Sequence, residues 1–431
     1  MNKKKDTLVL GAALFSMFFG AGNLIFPPYL GMVAGHKWIL AVIGFLLTGV
    51  GLPFLGIVAS STAGGDVDKL GRKVSPAFAK FLGITIIIAI GPLLAIPRTG
   101  ATAYEMGIKP LFPSISPIVS AIIYFAINLY FVIKPNDVMD KIGKILTPGL
   151  FLLLTILIVK GIVAPIGTPV ESVIDSSFSY GFLEGYQTMD ALAAILFGGV
   201  ISASLVSYGY TDEKEKMSMT VKAGFVAILG LAFVYGGLGY LGATSGSLYT
   251  ADIDRTTLIM NISNDVLHSF GKVGLGLAVM LACLTTSVGL TATVGQYFNQ
   301  ISNGKLKYKW IVIATSIFSA AMSCGGVESL ISLAAPILSF MYPIVIVLIL
   351  MTVFLGKYIT NENVYKYAIY AALIISAIES LTSMLGNQQI LGLINKLPLA
   401  SSGFSWLIPA VIGGVIGHFV PSKTGQDTIS A

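Results

Sequence analysis

Apolar runs long enough to cross a bilayer recur along almost the whole of this 431-residue chain, and no other feature limits its fold so strongly. A spanning helix needs about 20 mostly apolar residues, because backbone polar groups cannot be left unpaired in hydrocarbon. Twelve such segments are read, at roughly 7–34, 38–62, 78–104, 114–133, 141–163, 186–210, 218–243, 272–299, 308–325, 331–355, 364–386 and 403–420. Charged residues make up only 11% of the chain, whereas soluble domains devote about a quarter to them, so a water-soluble fold is excluded. The start, MNKKKD followed by LVLGAALFSMFFG, has the basic and apolar parts of a signal peptide. Its apolar character resumes after Pro28 and runs to Ala34, so it is expected to be the first spanning helix.

Cytoplasmic loops of membrane proteins are enriched in Lys and Arg. With the N-terminus inside, 19 of the 26 basic residues fall on the cytoplasmic side, which places both termini in the cytoplasm of a multi-pass cell-membrane protein. The basic residues lie in short clusters between apolar runs, not in a patch that could follow a phosphate backbone, so nucleic acid is not an expected partner. The lipid bilayer is, and no obligate protein partner is evident. Cys283 and Cys324 lack metal-ligand spacing, and His36, His268 and His418 sit at segment ends in no HExxH arrangement. Neither an enzyme nor a cofactor is expected. Two long loops, 164–185 and 244–271, face outside in this scheme, and TLIMNISNDVLHSF in the second is expected to lie as an amphipathic helix on the outer surface.

The first segment is poor helix material at Phe19-Gly20-Ala21-Gly22-Asn23. Each glycine costs roughly 1 kcal/mol relative to alanine, and Pro27 and Pro28 disfavour helical geometry in the residues before them. Unwound backbone inside a bilayer is tolerated where it is buried in protein or lines a watery cavity. There its carbonyls attract cations, and the positive end of the restarted half-helix attracts a carboxylate. Phe197-Gly198-Gly199 repeats the Phe19-Gly20-Ala21 pattern five segments later, in a segment that crosses in the opposite direction. Paired interruptions of this kind point to an inverted-repeat transporter with its site near the midplane. Thr285, Thr286 and Ser287 form a cluster of hydroxyls that could join freed carbonyls around a hard cation, or simply bond back to their own helix.

FFGAGNLIFPP, GPLLAIPRTGATAYEMG, KIGKILTPGL and GYQTMDALAAILFGGVI together resemble the bacterial branched-chain amino acid:cation symporter family, over nearly the whole chain. That family is part of the group of five-plus-five inverted-repeat transporters. The resemblance implies an all-α membrane fold of about twelve helices, with discontinuous helices 1 and 6. Residues 1–163 would form the first five-helix repeat, 164–185 an extracellular loop, and 186–355 the inverted second repeat. Residues 356–431 would add two helices and a cytoplasmic tail.

The resemblance further implies that amides near Gly22 and Asn23 receive the substrate carboxylate. Carbonyls at Gly20, Ala21 and around Phe197, Gly198 and Gly199 would receive the ammonium. The group's second sodium site falls on Ser16, Phe19, Ala282, Thr285 and Thr286. Proton-coupled relatives often carry a lysine from helix 5 there, where this chain has Val138, with Lys141 and Lys144 close by. Sodium is thereby favoured over the proton as coupling ion, with no other metal.

The expected activity is uptake of leucine, isoleucine and valine by cation symport. A proton-coupled carrier of other small neutral amino acids, and a non-transporting receptor on the same fold, are the alternatives. Arg98 and Asp190, charged residues at similar depth near the outer ends of their segments, are candidates for an outer gate. Glu328, Glu379 and His418 are read as structural.

Overall fold

The computed structural model of the protein describes residues 3–65, 67–133 and 137–421, with side chains throughout except at 21, 22, 137–146 and 388. Among the described residues the regular structure is helical throughout, and each of the twelve apolar segments carries helix. Seven of these helices are long and apolar enough to cross a membrane. Large apolar side chains such as Ile122, Leu152, Leu229 and Ile317 stand exposed on the outside, as a lipid-facing surface requires.

The first segment is split where its glycines predict. Helix α1 (Lys3–Phe18) stops, Gly20 runs extended (φ −82°, ψ 145°), a 3-10 turn spans Ala21–Ile25, and α2 (Phe26–Ala34) restarts. Pro27 and Pro28 stand in the first turn of α2, where a missing N–H leaves no helical bond unmade. Helices α3 (Trp38–Leu46) and α4 (Leu52–Thr62) form one rod with a wide π turn at Leu47–Gly51, followed by the short α5 (Val67–Arg72). The third segment runs through α6 (Pro76–Ile88), a π turn (Ala89–Leu93), α7 (Ala95–Thr102) and a second π turn (Ala103–Ile108). It is also interrupted: Gly91 leaves helical geometry (ψ −118°) beside Pro92, which has no N–H to give. Helices α8 (Pro117–Ile133) and α9 (Asp137–Val163) complete the first half.

In the second half, α10 (Ser177–Glu184) leads through a 3-10 turn (Gly185–Thr188) and left-handed Met189 (φ 60°, ψ 8°) into α11 (Asp190–Ser207). The sixth segment is therefore discontinuous as expected, but its break lies at Gly185–Thr188 and Met189, not at Phe197-Gly198-Gly199, which sit in regular helix. Its first half, α10, occupies residues expected to be loop. The two glycines serve packing instead: a Cβ on Gly198 would overlap the Ser60 side chain, and one on Gly199 the Gly65 backbone, so α11 lies directly against α4 and its end. After α12 (Glu213–Ser245) comes α13 (Arg255–Ile301), bent at His268 (φ 57°). Residues 257–270 are the amphipathic run expected on the outer surface: Leu258, Ile259 and Ile262 are fully buried and Val266 nearly so, while Thr257, Asn264, Asp265 and His268 to Phe270 are exposed. Its apolar face is covered by neighbouring helices. Helices α14 (Tyr308–Ser323), α15 (Val327–Leu350), α16 (Asn363–Leu385), α17 (Gln388–Ile394) and α18 (Leu407–Phe419) complete the described residues.

Both halves of the first segment lean on α12. Gly31 of α2 faces Gly239, and Gly242 faces Pro28, in each case with backbone where a Cβ would go. Small residues at these crossings let main chains meet in an environment where helix association depends on close packing.

Candidate functional site

The interruptions of segments one, three and six meet at a single cavity of about 80 Å³. The first segment contributes Met17, Phe18, Gly20 and Asn23; the third Ile90, Ala95, Arg98 and Thr99; the sixth Thr188, Met189, Asp190, Ala193 and Phe197; and α13 adds Thr286 and Leu290. No Cβ would touch a neighbour at Gly20, so the backbone there borders open space.

Asn23 ties the two principal breaks together. Its side-chain amide donates to the Phe18 carbonyl at the end of α1 (3.0 Å), to Oδ2 of Asp190 (2.8 Å) and to the Tyr235 hydroxyl of α12 (3.3 Å). Its own backbone N–H closes the 3-10 turn on the Gly20 carbonyl at 2.9 Å. Asp190 opens α11, where the positive end of the helix favours a carboxylate, and its backbone N–H reaches the Thr188 hydroxyl at 3.3 Å. Arg98 donates from Nη1 to the Gln187 carbonyl (2.7 Å) and lies over the Phe26 ring, 5.3 Å from its centroid. Both charged residues are buried beside the cavity, and the ion pairs among the described residues do not include one between them.

Of the residues expected to hold substrate, Gly20, Asn23 and Phe197 line the cavity. Ala21 and Gly22 belong to the 3-10 turn beside it, and their surroundings lie outside the described residues. Gly198 and Gly199 point at α4 and its end, which removes them from the cavity wall. Of those expected to hold a cation, Thr286 lines the cavity, while the Thr285 hydroxyl donates back to the Ala282 carbonyl of its own helix at 3.0 Å. Phe19 is buried with its ring stacked on Phe15 (centroids 4.7 Å), and the Ser16 hydroxyl pairs with Thr147 of α9 at 2.8 Å. The side chains of Val138, Lys141 and Lys144 lie outside the described residues.

A second polar group joins α2, α10, α13 and α15. Arg255 donates to Glu184 (3.0 and 3.2 Å) and to Glu328 (2.6 Å), and its guanidinium lies 4.2 Å from the centroid of the Tyr29 ring. The Arg255 backbone N–H also donates to Glu328 (2.9 Å). Glu105 accepts from the Thr256 hydroxyl (2.6 Å) and from the Val327 N–H (2.9 Å), so it is not a partner for Arg98. Spacing along the chain gave no sign of this group, because its members come from α2, α10, the π turn 103–108, α13 and α15. Glu328 thus has a partner inside the second half of the chain.

The family described as branched-chain amino acid transport protein matches residues 3–424. The branched-chain amino acid permease BraB of Bacillus subtilis is 38% identical over 434 residues, covering 97% of each chain. A putative branched-chain amino acid carrier protein of Staphylococcus aureus is 37% identical, covering 99% of this chain and 98% of its own. Among solved structures, the fold resembles the nucleobase-cation-symport-1 family transporter Mhp1 in a closed conformation (TM-score 0.61, 12% identity, 95% of this chain and 91% of that one). It also resembles MhsT in complex with L-phenylalanine (TM-score 0.59, 16% identity, 95% and 98%). These neighbours share the five-plus-five inverted repeat, and the sequence relatives are carriers, not enzymes. A cavity framed by interrupted helices, in a chain matched end to end by such carriers, makes this protein an amino-acid transporter that belongs to the branched-chain amino acid transport protein family.

Proposed function

We propose that the protein imports leucine, isoleucine and valine across the cell membrane by symport with sodium, with both termini in the cytoplasm. The observation that carries this reading is the meeting of the interrupted first, third and sixth segments with Thr286 of α13 around one small, mainly apolar cavity. Phe18, Phe197, Ile90 and Leu290 provide surfaces suited to an aliphatic side chain. Backbone groups at Gly20, Ala21 and Gly22 would meet the ligand's polar end, and the carbonyls of Ser16, Phe19 and Ala282 with the hydroxyls of Thr285 and Thr286 would coordinate the ion. Thr286, which borders the cavity, supports that assignment.

The test is uptake of labelled leucine into proteoliposomes under an imposed sodium gradient or an imposed pH gradient, with Thr285→Ala and Thr286→Ala alongside. Sodium-driven uptake that loses its sodium dependence in both variants is the expected result. Uptake driven by the pH gradient alone transfers the coupling to protons, and binding without counterflow makes the protein a receptor. If uptake and its sodium dependence survive both substitutions, the cation site is elsewhere.

A further inference from the structure

Arg98 and Asp190 have the geometry of a ligand site. Both border the same cavity, with side chains buried among the helices, and each is fixed by a single strong neutral contact: the Gln187 carbonyl for Arg98, the Asn23 amide for Asp190. A guanidinium has five N–H donors, and only Nη1 of Arg98 is bonded. A carboxylate accepts at several positions, and Asp190 takes one amide N–H, with the Thr188 hydroxyl beside it. Two opposite buried charges that are not paired with each other are expensive to maintain. A ligand that carries both an anion and a cation and enters the cavity they share satisfies both charges in one step.

We propose that the head group of the transported amino acid is clamped as a zwitterion, its carboxylate by Arg98 and its ammonium by Asp190, beside the backbone groups of the break. The proposal rests on the amino-acid transport reading and adds what that reading leaves open, namely which side chains require both charges of the ligand. Asn23 acts as a positioning residue, since it holds Asp190 and the end of α1 with one amide. The remaining wall, including Phe18, Phe197, Ile90 and Leu290, has no charge to offer and accepts an aliphatic side chain.

Purified protein is tested in detergent against leucine, against 4-methyl-2-oxopentanoate, which lacks the ammonium, and against 3-methylbutylamine, which lacks the carboxylate. In Arg98→Gln and in Asp190→Asn, leucine binding weakens by about 10- to 100-fold, the range for losing a charged hydrogen bond. The diagnostic is a cross pattern. Arg98→Gln weakens the oxo acid and leaves the amine as in the wild type, and Asp190→Asn does the reverse. If Asp190→Asn does not yield monodisperse protein, Asp190→Glu, which moves the charge by one methylene, replaces it with the same expected pattern. Equal losses for all three ligands, or no loss, overturn the clamp while leaving transport standing. A wild-type protein that binds no leucine removes the transport reading itself.

Discussion

Replacing Arg255 by alanine removes the only cation bonded to Glu184 among the described residues and leaves that carboxylate stranded. The Arg255 and Glu184 side chains are 12% and 10% exposed, so their ion pair is a buried one, and removing one partner of such a pair costs about 3–5 kcal/mol. The Glu328 side chain is 37% exposed, which reduces its share to about 1 kcal/mol or less after solvent screening. A total near 4 kcal/mol is therefore expected, most of it from Glu184. Reversible unfolding in mixed micelles measures it, with Glu184→Gln and the double variant completing a cycle. A loss under about 1 kcal/mol, or single-variant losses that simply add in the double variant, refutes the buried-pair reasoning.

Asn23→Ala should destabilise by about 1–3 kcal/mol and abolish leucine uptake, because Asp190 loses its amide donor; thermal unfolding and uptake report the two effects separately. Gly198→Ala should reduce the yield of monodisperse protein, since its methyl overlaps Ser60, whereas Phe197→Ala should preserve yield and weaken leucine binding. If both variants behave alike, the division of α11 into a packing face and a cavity face is wrong. Gly31→Ala should fail to assemble on size-exclusion chromatography, because its Cβ meets the Gly239 main chain, which has no rotamer by which to yield.

The first break was legible because the residues that cause it, Gly20, Gly22, Pro27 and Pro28, act through their own backbone limits. The sixth-segment break was hidden because its left-handed residue is Met189, held at φ 60° by tertiary contacts with no glycine to announce it. Gly198 and Gly199 drew the reading away, since a glycine needed for close approach looks the same in sequence as one needed for unwinding. Gly91 and Pro92 mark the third interruption by the same backbone limits. Arg98 and Asp190 could be placed at similar depth from their segments, yet whether they face each other or a common cavity depends on helix rotation, which spacing does not fix. The Arg255 group required five elements to converge, and nothing local encodes that.

The two broken segments are not mechanically equivalent. Both halves of the first are splinted by α12, an unbroken 33-residue rod, so α1 and α2 cannot flex about Gly20 without carrying or bending that rod. The halves of the sixth rest on a partner with its own joint: α10 lies on α3, α11 lies on α4, and the π turn at Leu47–Gly51 faces the 3-10 turn at Gly185–Thr188. The Thr48 hydroxyl, bonded to the Phe182 carbonyl at 2.7 Å, pins the joints at the same level. Two aligned joints make a knee where the first segment has a brace, so a repeat that is symmetric in topology is hinged on one side and splinted on the other.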